Sequence, residues 1–145
     1  MTVTDQQMAT LRAMLAGDST EYTRLSAQIS DSDDGLGYSA LLTGAFFEAV
    51  SRRFSRDSTK TDVVNYVAGV RARFEEIAEA VDLLVAERLI REALGEGATR
   101  DIPGKASATT KLFLVAALVR DEGFGDSGLD EFMAKARQNA DYLLG

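Results

Sequence analysis

Histidine and cysteine are both absent from this sequence. Without histidine the chain lacks the side chain that most often carries protons near neutral pH. Without cysteine it lacks the thiolate nucleophile and the sulfur ligand of structural zinc sites. Ser-His and Cys-His pairs cannot form, because an activated nucleophile needs an adjacent base. Disulfides and iron–sulfur clusters held by cysteine are excluded as well. These absences favour a function that does not depend on such chemistry.

A long apolar run is also missing. The longest strongly apolar stretch, Leu112–Val119, is far shorter than the ~20 residues that span a bilayer. Met1–Leu15 has neither the basic start nor the apolar run of a signal peptide. We therefore expect a cytoplasmic protein. The length predicts a single domain over 1–145, which is long enough to bury one core without cross-links.

Charge is unevenly distributed along the chain. The formal net charge is −7, which opposes non-specific binding to nucleic acid. Between Ser51 and Phe74, however, there are six basic residues and only two acidic ones. We take these basic residues as a candidate interaction surface: Arg52, Arg53, Arg56, Lys60, Arg71 and Arg73.

The spacing of apolar residues is helical throughout, and no segment alternates with period two for long. Thr4 and Thr59 each begin a capping-box pattern, Asp18 begins another helix, and Ser127 begins the last one. Residues 30–37 and 95–104 are predicted loops. The sequence predicts an all-α fold, an irregular antiparallel bundle of six to seven helices around a buried helix at about 105–120.

The segment 60–94 carries the clearest repeat. Seven apolar residues step by four and three, as in a heptad seam: Val63, Val67, Val70, Phe74, Ile77, Val81 and Leu84. One continuous helix would be long for a globular protein, so a kink or break near 76–82 is favoured. The seam also suggests a homodimer. We interpret Gly69 as a helical glycine that permits close packing.

Three stretches imitate known sites and fail when they are compared position by position. Gly104-Lys105 lacks the first glycine and the final Ser/Thr of a phosphate-binding loop, which leaves a proline–glycine helix start. The acidic stretch 31–35 lacks the glutamate that closes a calcium loop. Glu75, Glu79 and Asp82 would share one helix face, but no histidine can complete a carboxylate-bridged metal centre. Arg71 lies one turn before Glu75, which predicts an ordinary surface ion pair between them. We therefore predict no metal and no cofactor.

Three functions remain open. We expect a non-enzymatic protein–protein interaction or oligomerisation module, because amphipathic helices outnumber candidate sites. The first alternative is a regulator that binds DNA or another polyanion through residues 51–74. The second is an enzyme or small-ligand binder that uses carboxylates and arginines. Its candidate residues are Arg100 and Asp101 in one loop and Asp121 and Glu122 at the start of the next.

Overall fold

The computed structural model describes residues 2–28, 33–55 and 57–145, and these residues form eight helices and no strand. The helices are α1 (Asp5–Leu15), α2 (Ser19–Ser26), α3 (Asp33–Arg53), α4 (Lys60–Arg73), α5 (Glu75–Ala80), α6 (Leu83–Ala93), α7 (Gly104–Glu122) and α8 (Asp126–Leu144). The predicted all-α bundle is confirmed. The described part of the chain has more helices than the sequence predicts, because the segment 60–94 is divided.

Several helix ends follow directly from local sequence. Thr4 and Gln7 form a reciprocal capping box at α1, and Thr59 and Asp62 form another at α4. Each box satisfies backbone N–H groups that the first turn leaves without partners. Asp18 caps α2 through a bond from the Glu21 amide. The capping residues predicted for these three helices are therefore confirmed.

Two predicted boundaries are wrong. Residues 33–37 belong to α3 rather than to a loop, and Gly37 is buried against α1. A Cβ at Gly37 would lie 2.7 Å from the side-chain amide nitrogen of Gln7, so the glycine permits this close packing. At the other end of the chain, α8 begins at Asp126 after Gly125 and does not use Ser127 as its cap.

The segment 60–94 is broken at two residues. Phe74 (φ −130°, ψ 107°) and Val81 (φ −119°, ψ 116°) have extended backbones that separate α4, α5 and α6. The break at Val81 confirms the one favoured near 76–82, whereas the break at Phe74 was not predicted. The seam residues from Val63 to Val81 pack inside this one chain, and Leu84 is 60% exposed. The seam is therefore part of the monomer core and gives no support to a dimer.

The interior of the bundle is shared by α3 and α7. Helix α3 contacts α1, α6, α7 and α8, while α7 contacts α1, α3, α5 and α6. Phe46 of α3, Leu114 of α7 and Phe132 of α8 are fully buried in one hydrophobic core. Helices α3 and α8 are antiparallel, because Asn139 bonds to the Gly44 carbonyl while Phe132 lies beside Arg52.

Among the residues that the structure describes, no helix combines the length and the apolar character needed to cross a membrane.

Candidate interaction cleft

Most of the predicted basic surface is occupied by contacts within the chain. Arg52 pairs with Glu48 of its own helix (Nε–Oε2 2.6 Å), and its guanidinium also lies over the rings of Phe124 and Phe132. Lys60 pairs with the buried carboxylate of Glu87 at 3.6 Å. Both cations therefore have a carboxylate partner within the chain, although the Lys60 side chain remains 66% exposed.

Arg71 has a structural role as well. Its Nε donates to the Val81 carbonyl (3.0 Å) and its terminal nitrogen donates to the Ala78 carbonyl (3.1 Å). It therefore satisfies acceptors at the end of α5, and it does not pair with Glu75 as the sequence predicts. Arg56, the remaining member of the group at the end of α3, lies outside the described residues.

Arg53 and Arg73 line one open cleft with a volume of about 740 Å³. Its lining residues come from the end of α3, from Ser58, from α4, which we call its floor, and from the last turn of α7. The lining residues are Arg53, Phe54, Ser58, Asp62, Asn65, Tyr66, Gly69, Arg73 and Asp121. We call this site the α4 cleft.

The floor of the α4 cleft follows from the amphipathic pattern of α4. Asp62, Asn65, Gly69 and Arg73 are spaced by three or four residues, so they share one helix face. The opposite face, which carries Val63, Val67 and Val70, is buried in the core. Gly69 is helical as predicted, but it packs against nothing, since a Cβ there would meet no atom within 4 Å. The predicted close packing at this glycine is wrong, and the residue opens the floor instead.

One end of the cleft is held by a closed polar network. Arg73 donates two hydrogen bonds to Asp121 at 3.0 and 3.2 Å, and the Tyr66 hydroxyl donates a third at 3.0 Å. The bonds from Arg73 hold the pKa of the Asp121 carboxyl below its usual range. Burial, followed by the nearby Asp121 charge, raises the pKa of the Tyr66 phenol. This network joins α4 to α7 and leaves none of its charges uncompensated.

Unlike Arg52 and Arg73, Arg53 forms no ion pair with a carboxylate in the described structure. Its guanidinium lies 5.3 Å from the ring centroid of Phe54 and 5.1 Å from that of Tyr66, and these two rings meet edge to face. The side chain is exposed and makes no ion pair or hydrogen bond within the described ranges. Cation–π contacts hold the guanidinium in place while its donors stay available.

Asp62 supplies the opposite charge in the same cleft. Its Oδ2 accepts the Thr59 backbone N–H at 2.8 Å, as the capping box requires. It has no ion pair among the described residues, and it does not pair with Arg53. The α4 cleft therefore contains one cation, Arg53, and one carboxylate, Asp62, that form no ion pair within the described ranges, in addition to the Arg73–Asp121 pair. The Arg53 charge also helps to lower the pKa of Asp121.

Two of the three stretches that imitate known sites lie among the described residues. Asp82 lies beyond the end of α5 and caps α6 by accepting the amides of Leu84 and Val85, so it shares no helix face with Glu75 and Glu79. No group of three metal-ligating side chains occurs in the described ranges. Gly104 begins α7 after Pro103, as a proline–glycine start predicts. The acidic stretch 31–35 lies outside the residues whose side chains are described.

The charged loop residues that the sequence predicts as site candidates differ in position and contacts. Asp101 pairs with Arg88 on α6 (Oδ1–NH2 2.6 Å), whereas Arg100 is exposed and lies outside the cleft. Asp121, with Glu122, belongs to the last turn of α7 rather than to a loop, and Asp121 reaches the cleft. The sequence did not single out Asn65 or Tyr66. The place of Asn65 on the polar face of α4 could have indicated it, whereas Tyr66 is buried beside that face.

Comparison of this chain with protein-family models, with curated proteins and with solved structures finds no match.

Proposed function

We propose that this protein is a non-enzymatic interaction module that binds a carboxylate-bearing segment of a partner protein in the α4 cleft. The observation that carries the proposal is the exposed Arg53 guanidinium, which has no ion pair in the described structure and is held over two aromatic rings. A guanidinium presents donors in a planar fork that fits a carboxylate with two parallel bonds. Fixing it in advance reduces the entropy that binding must overcome.

The charge distribution favours a protein segment that presents a single carboxylate over nucleic acid. Binding to a phosphate backbone draws on several arginines and lysines at once. Arg52, Lys60 and Arg73 are already paired with carboxylates, and Arg71 is bound to backbone carbonyls. One guanidinium without an ion pair in the described part of this cleft, on a chain of net charge −7, suits a single carboxylate better than a polyanion.

The cleft also lacks groups tuned for acid–base chemistry. Efficient general acids and bases have pKa values near the working pH. In the cleft the pKa of Tyr66 is raised and that of Asp121 is lowered, so both move away from neutrality. Recognition therefore accounts for the cleft better than catalysis.

The proposal is tested with short glutamate-containing peptides, which are titrated into the labelled protein while NMR shifts of Arg53 and Tyr66 are followed. We expect saturable shifts at the cleft, a roughly tenfold or greater loss of affinity in Arg53→Ala, and partial retention in Arg53→Lys. Arg100→Ala is the matched control, because it removes an exposed arginine outside the cleft. Equal binding by Arg53→Ala and Arg100→Ala would overturn the proposal. So would tighter binding of duplex DNA at the same salt concentration.

A further inference from the structure

The carboxylate of Asp62 is the second charge in the α4 cleft without an ion pair in the described structure, and it restricts which protein segments can bind there. Arg53 requires an anion, and Asp62 offers its free oxygen to a cation on the same surface. A segment bearing only carboxylates would meet repulsion from Asp62. The complementary partner therefore carries one acidic and one basic side chain on the surface that enters the cleft.

This chain contains such a segment on α8. Glu131 and Lys135 are four residues apart, so they lie on one helix face about 6 Å apart along the axis. Both are exposed, and neither makes an ion pair within the described part of the chain, not even with the other. The small side chain of Ala134 lies beside them on this face.

We infer that the partner of the α4 cleft is a second copy of this chain, with the outer face of α8 lying in the cleft. Glu131 of one copy then pairs with Arg53 of the other, and Lys135 pairs with Asp62. The inference rests on the proposed function, and it names the partner that the function leaves open.

The shape of the two surfaces supports this pairing. Gly69 leaves the middle of the floor open, because no atom lies within 4 Å of the Cβ it lacks. A backbone can approach closely where a glycine replaces a larger residue. Ala134 offers a small side chain at the matching place on α8, so the two helices can meet without large side chains between them.

The two surfaces are also neighbours on the monomer. Arg52 lies over the ring of Phe132, and these residues adjoin Arg53 and Glu131 in sequence. A two-fold axis between neighbouring complementary patches lets both contacts form twice, which is the usual arrangement of homodimers. Four ion pairs would then act together in one closed interface.

Reversing the charges of the proposed partners tests the inference in the whole 145-residue chain. Sedimentation velocity over a range of protein concentrations measures the dissociation constant of the dimer. We expect the wild type to dimerise reversibly, and Arg53→Glu and Glu131→Arg each to weaken the dimer roughly tenfold. The double variant Arg53→Glu/Glu131→Arg should recover to within about threefold of the wild type. Arg100→Glu, an equal change of charge outside the cleft, should leave the dimer intact.

Further variants distinguish a weaker dimer from a less stable monomer. A glutamate near the end of α3 is unfavourable to the helix dipole, so Arg53→Ala is measured beside it, with circular dichroism on each variant. Asp62→Asn removes the charge while its amide oxygen can still cap α4. It should weaken the dimer, and Asp18→Asn, a cap at α2, should not.

A wild type that stays monomeric at millimolar concentration would overturn the inference. Failure of the folded double variant to recover would do the same. In either case, retained peptide binding at Arg53 would leave the proposed function standing, whereas loss of peptide binding would contradict both.

Discussion

Gly44 of α3 lies directly against the main chain of α8 at Ala136. A Cβ built on Gly44 would be only 2.5 Å from the carbonyl oxygen of Ala136 and 2.9 Å from the backbone nitrogen of Ala140. The Asn139 amide donates to the Gly44 carbonyl at 3.1 Å, which fixes the register of the two helices. The atoms that a side chain would meet here belong to the backbone, so they cannot move aside cheaply.

Gly44→Ala is therefore expected to destabilise the protein by about 1–3 kcal/mol, because it overpacks the junction of α3 and α8. This loss outweighs the gain that alanine ordinarily gives inside a helix. Urea-induced unfolding measures the change. A variant as stable as the wild type would contradict the main-chain contact.

Gly69→Ala provides the matched comparison and a prediction of its own. The substitution adds the same methyl group to a helix interior, but here it meets open space. We expect the free energy of unfolding to rise by about 0.5–1 kcal/mol, since alanine is the better helix former. The methyl group enters the floor of the α4 cleft, so association should weaken as stability rises. A lower free energy of unfolding would contradict the open space beside Gly69. Unchanged association would contradict the close approach of a partner at this position.

The apolar seam of 60–84 gives a third prediction, since its members now differ in environment. Val67 is fully buried, and Val67→Ala should cost about 1–3 kcal/mol through lost burial and a small cavity. Leu84 is largely exposed, and Leu84→Ser should change stability by less than about 0.5 kcal/mol. Unfolding curves of the two variants measure both values. A large effect of Leu84→Ser on the oligomeric state would instead support the coiled-coil interpretation of the seam.

Sequence alone predicted those features that depend on neighbouring residues. Thr4 and Thr59 cap their helices through residues three positions later, so a short window contains the whole signal. The break at Phe74 could not be predicted in this way. Its apolar side chain fits the seam equally well in a continuous helix and in a broken one. What holds the broken form is Arg71, which bonds to carbonyls seven and ten residues later.

The cleft shows the same limit at the level of charge. The sequence indicated the basic stretch as an interaction surface, and it indicated Asp121 separately, as a charged residue of a predicted loop. It could not indicate that Asp121 neutralises Arg73, because the two residues are 48 positions apart. Nor could it show that, among the described members, Arg53 has neither a carboxylate partner nor the backbone acceptors that bind Arg71. A count of charges cannot separate a cation that holds the fold from one that is available for binding.

Arg71 provides the fourth prediction. Arg71→Met removes two charge-assisted hydrogen bonds from partly buried carbonyls, and we expect a loss of about 1–3 kcal/mol. Arg71→Lys should recover only part of it, because one ammonium group cannot reproduce the fork of donors. Arg24→Met is the control, since Arg24 pairs with Glu21 on an exposed helix surface, where an ion pair contributes little to stability. Amide hydrogen exchange along α5 shows where the structure is weakened. If Arg71→Met and the wild type have the same protection in α5, the role of Arg71 is contradicted.

The Arg73–Asp121 pair makes a prediction about acid stability. Because Arg73 holds the pKa of Asp121 below its unfolded value, the pair stabilises the fold at pH above about 4. That stabilisation is lost as the pH falls through the lowered pKa. Asp121→Asn should therefore be less stable than the wild type by about 0.5–2 kcal/mol at neutral pH, and the difference should shrink below about pH 3.

Arg73→Gln tests the cause of this acid dependence. Without the guanidinium the pKa of Asp121 moves back toward its unfolded value, so this carboxylate should contribute a smaller loss of stability on acidification than in the wild type. Urea midpoints measured from pH 7 to about pH 2 follow all three proteins. Parallel curves for the wild type and Asp121→Asn would show that the carboxylate does not couple proton binding to folding. The stability of the α4–α7 junction would then depend on the Tyr66 bond and on packing alone.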